Sequence, residues 1–351
     1  MEPIISSIQQ MGIGNPYVHE AWKWYRKVFG MDTKIFDEAA EANLMLRYTG
    51  GMPHKRHAVL AVNMNGGGGM EIWQYTSRKP VSADFEIQYG DLGIYACKIK
   101  SRDINASFAH IKNAGAEILG EISENPAGQK HFFLKDLYGN IFEVIEADDW
   151  FGKTKLSTGG VYGAMICVSN MEQSLMLYRD LLGFDKVIYD SKNNFTDTAV
   201  LPGGNTISRR VLLAHSKPRS GPFAPLLGNN TIELVQIDGR TPRKIFENRF
   251  WGDMGFIHLC FDVIGMHELG KRFAANGFPF TVDSGAFNMG EAAGHFTYIE
   301  DPDGALIEFV ETHKVPILKK FGWYIHLKKR EPGAALPKWI LKAMGLNRVR
   351  D

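Results

Sequence analysis

Short runs of alternating hydrophobic and polar residues, separated by segments with helical periodicity, fill most of the chain. Alternation predicts half-buried strands, whereas apolar residues at every third or fourth position predict amphipathic helices. In the first half we predict strands near 5–13, 42–48, 57–64, 70–76, 93–100, 131–135 and 140–146, with helices at 17–30 and 103–114. In the second half we predict strands near 161–168, 198–202, 210–215, 231–236, 256–263, 295–300 and 306–311, with helices at 175–185 and 264–276. The pattern therefore predicts four copies of a βαβββ unit, in which one strand is followed by a helix and three further strands.

Two helical segments are similar in sequence. WKWYRKVFGMD at 22–32 is matched by LMLYRDLLGFD at 175–185, so that Tyr25 corresponds to Tyr178 and Gly30 to Gly183. Glycine is common directly after a helix because it adopts the left-handed conformation there at little cost. Both segments are therefore predicted to be short helices that end at a glycine.

A second repeat follows the later helix of each half. LKDLYGNIFEVIE at 134–146 is matched by IEDPDGALIEFVE at 299–311, which aligns Asp136 with Asp301 and Glu143 with Glu308. Each segment predicts a hairpin with an Asp- and Gly-containing turn and one glutamate in its second strand. The repeats predict two domains, residues 1–150 with modules 1 and 2, and residues 155–312 with modules 3 and 4.

Residues 313–351 lie outside the repeats and form a basic extension, with KK at 319–320 and KKR at 328–330. The segment PKWILKAMGL predicts a short amphipathic helix. We expect it to dock onto the rest of the chain or onto a partner subunit, and a homodimer is one arrangement that the sequence allows.

Composition narrows the range of functions. The formal charge is +1, which provides no overall field for nucleic acid or for a membrane surface. Three cysteines without CxxC spacing argue against a disulfide framework, and no leader pattern or long apolar run is present. We therefore expect a cytoplasmic protein that acts on a small molecule.

Paired βαβββ units, together with GFIHLCFDV at 255–263 and EDPDGALIEFVE at 300–311, resemble the vicinal oxygen chelate superfamily, which includes glyoxalases, bleomycin resistance proteins and extradiol dioxygenases. The resemblance covers about residues 1–312. It implies an α+β fold with four modules in two glyoxalase-type domains, curved mixed sheets and a C-terminal helical tail.

In this superfamily the metal ligands come from the first and last strands of each module. The resemblance assigns these positions to the following residues, in module order: Gln10 and Glu71; Ile94 or its neighbours and Glu143; Gly163 and Glu233; His258 and Glu308. If module 1 pairs with module 4, the ligands are Gln10, Glu71, His258 and Glu308, similar to the quartet of some glyoxalase I enzymes. If modules pair within each half, the second half offers Glu233, His258 and Glu308. We favour the first pairing, which leaves modules 2 and 3 with a decayed site.

A quartet of this kind suits one divalent metal, either Zn, Ni, Mn or Fe. The resemblance implies an isomerase or lyase that acts on a small substrate with vicinal oxygens through a metal-stabilised enediolate. Glu308 and Glu71 are the candidate catalytic bases.

Two other functions remain open. An Fe(II) dioxygenase of the extradiol or 4-hydroxyphenylpyruvate type would need a histidine where this chain has Gly163. A metal-free binding or resistance protein would use the cavity between modules without a quartet. The sequence GGGG at 66–69 is interpreted as a hairpin connection, and His131 and His295 are interpreted as structural.

Overall fold

A computed structural model describes residues 2–288, 293–318, 322–328 and 330–349. The lysine pair at 319–320 and Lys329 lie outside the described residues. Module 1 contains β1 (Ile4–Gly14), α1 (Val18–Phe29), β2 (Thr33–Glu41), β3 (Lys55–Val62) and β4 (Gly69–Tyr75). Module 2 contains β5 (Gly93–Ser101), α2 (Ile104–Asn113), β6 (Glu117–Glu124), β7 (Lys130–Lys135) and β8 (Ile141–Glu146).

Module 3 contains β9 (Thr158–Cys167), α3 (Met171–Leu175) with a following π-helical turn (Met176–Leu181), β10 (Lys186–Asn194), β11 (Ile207–Ala214), α4 (Ala224–Leu227) and β12 (Thr231–Ile237). Module 4 contains β13 (Gly255–Ile264), α5 (Met266–Ala275), β14 (Val282–Asp283), β15 (Phe287–Asn288), β16 (Ala293–Glu300) and β17 (Leu306–Leu318). The extension adds β18 (Trp323–His326) and α6 (Lys338–Ala343). The predicted α+β architecture of four βαβββ modules is confirmed.

The modules assemble into two curved mixed sheets. Modules 1 and 4 form one sheet, in the order β14-β16-β17-β13-β1-β4-β3-β2, which we call the outer-module sheet. Modules 2 and 3 form the inner-module sheet, in the order β10-β11-β12-β9-β5-β8-β7-β6. In each sheet the first strands of the two modules pair antiparallel at the centre, β1 with β13 and β5 with β9. The pairing of module 1 with module 4 is thus the one that the fold adopts.

The strands at and near the sheet edges differ from the sequence-based expectation. The segment predicted as strand 42–48 is a turn with a short 3₁₀ helix, and the strand before it is β2. Likewise 198–202 is a turn, and β2, β6 and β10 are strands that were not predicted at their positions. These strands lie at or near sheet edges and are largely exposed, so that their sequences lack the apolar alternation that marks a half-buried strand.

Helices of all four modules pack against a shared apolar core that includes residues of both sheets. Two repeated tyrosine–aspartate pairs join the modules across it. The hydroxyl of Tyr25 donates a hydrogen bond to Asp136 Oδ2 at 2.5 Å, and that of Tyr178 donates to Asp301 Oδ2 at 2.9 Å. Each pair links a helix to the hairpin turn of the next module, which belongs to the other sheet. This contact explains why the two sequence repeats occur together.

The glycine run at 66–69 connects β3 to β4, as a hairpin connection, and lies against the start of β9. A Cβ atom at Gly67 would stand 2.8–2.9 Å from backbone atoms of Gly160, and Gly67 has a φ of +109°. Glycine is required here because the backbones of the two sheets approach each other without room for a side chain.

The C-terminal extension docks onto the outer-module sheet. Leu336, Leu341 and Met344 are buried in a cluster with Val62 and Met64. The predicted short helix is therefore part of the fold. In the part of the chain that the structure describes, no helix is long and apolar enough to cross a membrane.

Candidate metal centre

The concave face of the outer-module sheet brings together residues from the strands at its centre. Strand register places Gln10, Cys260 and Glu308 in one row, and Gly12, Glu71 and His258 in the next. Because alternate residues of a strand point to the same face, the polar side chains of both rows converge. The four residues predicted as a quartet therefore meet in the fold.

Gln10 reaches this face through a β-bulge. Ile8 pairs with Phe261 and Gln10 pairs with Cys260, so that two residues of β1 oppose one residue of β13. As a result Gln9 also faces β13, where its amide donates a hydrogen bond to Asp262 Oδ1 at 3.4 Å. The bulge places both glutamines on the same side of the sheet.

The distances within the quartet are short. Gln10 Nε2 donates a hydrogen bond to Glu71 Oε2 at 2.9 Å and lies 3.5 Å from Glu308 Oε2. His258 Nε2 lies 3.2 Å from Glu71 Oε2 and 3.3 Å from Glu308 Oε2. One ligand atom from each of Glu71, His258 and Glu308 lies within 4.8 Å of the others. This spacing is that of a set of side chains arranged around one small ion.

His258 is held in place by its neighbours. Its ring is completely buried, its Nδ1 lies 3.4 Å from the hydroxyl of Tyr298, and it stacks on Trp251 with ring centroids 6.2 Å apart. A Cβ atom at Gly12 would stand 2.4 Å from His258 Nε2. The ring can occupy this position only because residue 12 has no side chain.

Burial and mutual charge set the protonation of the centre. Burial would raise the pKa of Glu71, but the hydrogen bond and charge of His258 outweigh it and lower that pKa. Burial raises the pKa of Glu308 despite the attraction of His258, since Glu71 adds repulsion. For His258 burial is outweighed by the charges of Glu308 and Glu71, which raise its pKa. The two carboxylates thus depend on a positive partner.

The residues present fit a divalent metal. Gln10 Oε1 is buried without a hydrogen-bond partner, and His258 Nε2 is aimed at the carboxylates of both Glu71 and Glu308. Buried polar atoms in proteins nearly always have a partner, so that an orphaned amide oxygen beside two carboxylates marks a place for a ligand or an ion. An amide oxygen, an imidazole nitrogen and two carboxylates are suitable donors for the metals with mixed nitrogen and oxygen ligands.

A segment between β12 and β13 covers the centre. Trp251 lies edge-on to Trp73, with ring centroids 4.7 Å apart, and Tyr75 donates a hydrogen bond to the backbone oxygen of Trp251. Asp253 fixes the segment through Arg78 at 2.6 Å. Trp251 also lines a cavity of about 400 Å³, and none of the quartet side chains lines it.

The inner-module sheet carries a different arrangement at the corresponding place. Glu143 and Glu233 occupy the positions of Glu308 and Glu71, but Lys98 Nζ lies between them, 2.7 Å from Glu233 Oε2 and in contact with Glu143. By strand register Lys98 corresponds to Cys260, while Gly163 corresponds to Gln10. The position of His258 is taken by Ala96, two residues beyond Ile94.

We call this second group the inner ion cluster. It consists of three basic groups, Lys98, His131 and Arg210, and three acidic groups, Glu143, Asp197 and Glu233. All six side chains are at most 4% exposed. Opposite charges are balanced within the cluster, so that an ammonium group and a guanidinium group take the place of an ion. The site that we expected to be decayed therefore keeps its two glutamates, and three basic side chains neutralise them.

Several of these residues were not among the predicted site residues. Lys98 and Arg210 each interrupt an apolar strand, a signal equivalent to the one that identified the glutamates. His131 is part of the inner ion cluster, whereas His295 lies apart and contacts Asp283 at 2.5 Å. Glu233 is in the other sheet, so the alternative set with His258 and Glu308 is not brought together.

Comparison with known proteins places the chain in a family. The family model described as the Glyoxalase/Bleomycin resistance protein/Dioxygenase superfamily matches residues 7–144 and 162–309. No curated protein sequence matches the chain. Among solved structures, glyoxalase I from Zea mays is similar at 14% identity, over 88% of this chain and 92% of that chain, with a TM-score of 0.54. A proposed dioxygenase from Bacillus subtilis subsp. subtilis str. 168 is similar at 13% identity, over 88% and 86% of the two chains, with a TM-score of 0.54.

At these identities the likeness to solved structures establishes the fold alone. The family model, however, covers most of the chain, in two segments that contain the quartet positions Gln10, Glu71, His258 and Glu308. The chain therefore belongs to the Glyoxalase/Bleomycin resistance protein/Dioxygenase superfamily.

Proposed function

We propose that the protein is a divalent-metal-dependent isomerase or lyase of the glyoxalase type, acting on a small substrate with adjacent oxygen atoms. The observation that carries this proposal is the convergence of Gln10, Glu71, His258 and Glu308 on one concave face, where the buried amide oxygen of Gln10 has no hydrogen-bond partner. The contrast with the inner ion cluster supports it, because there basic side chains neutralise the equivalent glutamates.

In this proposal Gln10, Glu71, His258 and Glu308 hold the metal. When bound, the metal would supply Lewis-acid polarisation of the substrate oxygens. Glu71 and Glu308 are the candidate proton carriers, since each presents a carboxylate in a largely dehydrated site. One of them would accept a proton from the carbon next to the carbonyl and return it to the neighbouring carbon.

The surroundings of the centre favour this chemistry. Glu71 and Glu308 are the partly accessible members, with side-chain exposures of 12% and 8%, whereas His258 is completely buried. A substrate would therefore meet the carboxylates first. Trp251, Trp73 and Tyr298 limit the water around the site, which strengthens its electrostatic interactions.

Metal content tests the proposal. Protein prepared without chelators would be measured by mass spectrometry as wild type, His258→Ala, Gln10→Ala and Glu233→Gln. We expect one tightly bound metal per chain, lost in His258→Ala, weakened in Gln10→Ala and retained in Glu233→Gln, which changes the equivalent position of the other sheet. Absence of tightly bound metal in all preparations, even after reconstitution, would overturn the proposal of a metalloenzyme and would favour a metal-free binding protein.

Proton exchange tests the reaction class. Small α-hydroxycarbonyl compounds in D2O would be followed by NMR for exchange at the carbon beside the carbonyl. We expect exchange with the metal-loaded enzyme and a decrease of about 10²–10⁴-fold when the acting base, Glu71 or Glu308, becomes glutamine. Oxygen consumption with Fe(II), without exchange, would instead identify a dioxygenase.

A further inference from the structure

A second group of potential metal ligands lies on the opposite, helix-covered face of the outer-module sheet. His19 in the first turn of α1, Asp37 in β2 and His57 in β3 present ligand atoms within 4.8 Å of one another. In β3, Ala58 packs with the aromatic side chains of the concave face, whereas Val59 packs in the helix-side core. Because side chains alternate along a strand, His57 lies on the same face as Val59. The group is therefore separated from the Gln10 centre by the sheet.

We propose that His19, Asp37 and His57 form a peripheral site for a zinc-class divalent cation, independent of the function proposed above. His57 Nε2 lies 2.7 Å from Asp37 Oδ1, and His19 Nε2 lies 4.0 Å from the same oxygen. Two ligands of a tetrahedral zinc ion, each about 2.0–2.1 Å from it, stand about 3.4 Å apart. The two observed separations lie on either side of that value.

The backbone around the group is already in place. Asp37 and His57 are diagonal neighbours in the antiparallel β2–β3 pair, where side chains on one face approach each other. The start of α1 is fixed because Val18 N donates a hydrogen bond to Gln74 Oε1 at 2.9 Å. Gln74 pairs with His57 across β3 and β4, so that this bond holds the first helical turn over the histidine.

The donor set selects the class of ion. Two imidazole nitrogens and one carboxylate favour zinc, nickel or copper over magnesium and calcium, which prefer oxygen ligands. The side chains are partly accessible, with exposures of 59% for His19, 22% for Asp37 and 27% for His57, so that water can complete the coordination. A bound ion would fasten the first turn of α1 to the β2–β3 edge.

Lys34 is the competing cation. Its Nζ lies 3.3 Å from Asp37 Oδ2, and the side chain is 38% exposed. The ammonium group would have to turn towards solvent when a metal binds. Removal of this charge should therefore strengthen metal binding, an effect that a purely structural ion pair would not produce.

Zinc titration of the full chain against a chromophoric chelator tests the site. We expect a weaker class of zinc site in addition to the tight one. The affinity of the weaker class should be reduced at least tenfold in His19→Ala, His57→Ala and Asp37→Asn, since loss of even an outer-shell partner costs about 10–100-fold. Lys34→Met should raise that affinity. The weaker class should persist in His258→Ala and in His267→Ala, a control at an exposed histidine elsewhere.

The ring resonances of His19 and His57 in ¹H–¹⁵N NMR provide a readout independent of activity, and they should shift on addition of zinc. A weaker class that is unchanged in both histidine variants, or the absence of any weaker class in wild type, would overturn the proposal. If wild type showed the weaker class of zinc site without the tight one, the function proposed for the Gln10 centre would be contradicted and the proposal of a peripheral site would stand.

Discussion

At the scale of single residues, the candidate centre depends on a glycine without a side chain and on a β-bulge as much as on its potential ligands. The imidazole of His258 fits only because Gly12 has no side chain, and Gln10 faces the site because of the bulge after Ile8. Neither feature is visible in a pattern of apolar and polar residues. The quartet positions could be assigned from the repeats, whereas the contacts that hold them could not.

Gly12→Ala should disturb the centre specifically. Its methyl group would collide with the ring of His258, so that we expect metal affinity to decrease at least tenfold and stability to decrease by about 1–3 kcal/mol, the usual cost of overpacking. Metal titration and denaturant unfolding would measure both effects.

The matched control for this prediction is a double-mutant cycle. In a His258→Ala background the methyl group would meet free space, and the stability cost of Gly12→Ala should largely disappear. An equal cost in both backgrounds would show that the ring is not what constrains residue 12.

The inner ion cluster should make stability depend on pH. Burial opposes the charge of His131, but hydrogen bonds to Asp197 and Glu143 outweigh it and raise the pKa from 6.5 to about 9. A group with a raised pKa in the folded state contributes its full stability below the pKa of the unfolded state, and loses it as pH rises through the folded value. We therefore expect the free energy of unfolding to fall between about pH 6.5 and 9, by up to about 3 kcal/mol.

Urea unfolding of wild type and His131→Gln at several pH values would check this prediction. The variant should be less stable at pH 6.5, because Glu143 and Asp197 each lose one of their two positively charged partners and keep only Lys98 and Arg210, respectively. Its stability should decrease less between pH 6.5 and 9. Parallel pH profiles for the two proteins would contradict the role given to His131.

At the scale of elements, the central strands follow the sequence closely and the edge strands do not. Strands β1, β5, β9 and β13 are apolar and largely buried, so their positions could be predicted from the sequence. The sequence of β10, KVIYDSKNN, is mostly exposed, and pairing with β11 rather than local pattern makes it a strand. The covering segment with Trp251 could not be predicted either, because it has no periodicity and is held by tertiary contacts.

Trp251 should control access to the centre. Replacement by alanine removes a side chain that is 8% exposed, and we expect a loss of about 3–5 kcal/mol in stability and faster removal of the metal by a chelator. Trp251→Phe should have smaller effects. Trp339→Ala is a suitable control because that side chain is 62% exposed. Equal rates of metal removal in Trp251→Ala and wild type would indicate another route to the site.

At the scale of the whole molecule, the modules are nested, since the inner-module sheet lies within the sequence limits of the outer-module sheet. The C-terminal extension then docks onto the outer-module sheet, with Leu341 completely buried in the cluster that contains Val62. The extension is therefore part of the domain that carries the candidate centre.

Leu341→Ala should be costly for this reason. We expect a loss of about 2–5 kcal/mol in the free energy of unfolding, whereas Leu346→Ala, at a side chain that is 68% exposed, should change it by no more than about 0.5 kcal/mol. Thermal and denaturant unfolding would measure the difference. Similar values for the two variants would show that the extension contributes little.

The nested order of the modules has a consequence for biosynthesis. Strands β5 to β12 are contiguous in sequence, so that the inner-module sheet can form while the ribosome is still translating the remainder. Strand β1 is translated before the inner-module sheet and can pair with β4 early. Its other edge pairs with β13, about 250 residues later, and stays unpaired until then. The nascent chain must therefore carry an unpaired, largely apolar strand edge until β13 has been translated. Chaperones that shield such edges should bind ribosome-attached chains that end before residue 255 more strongly than longer ones.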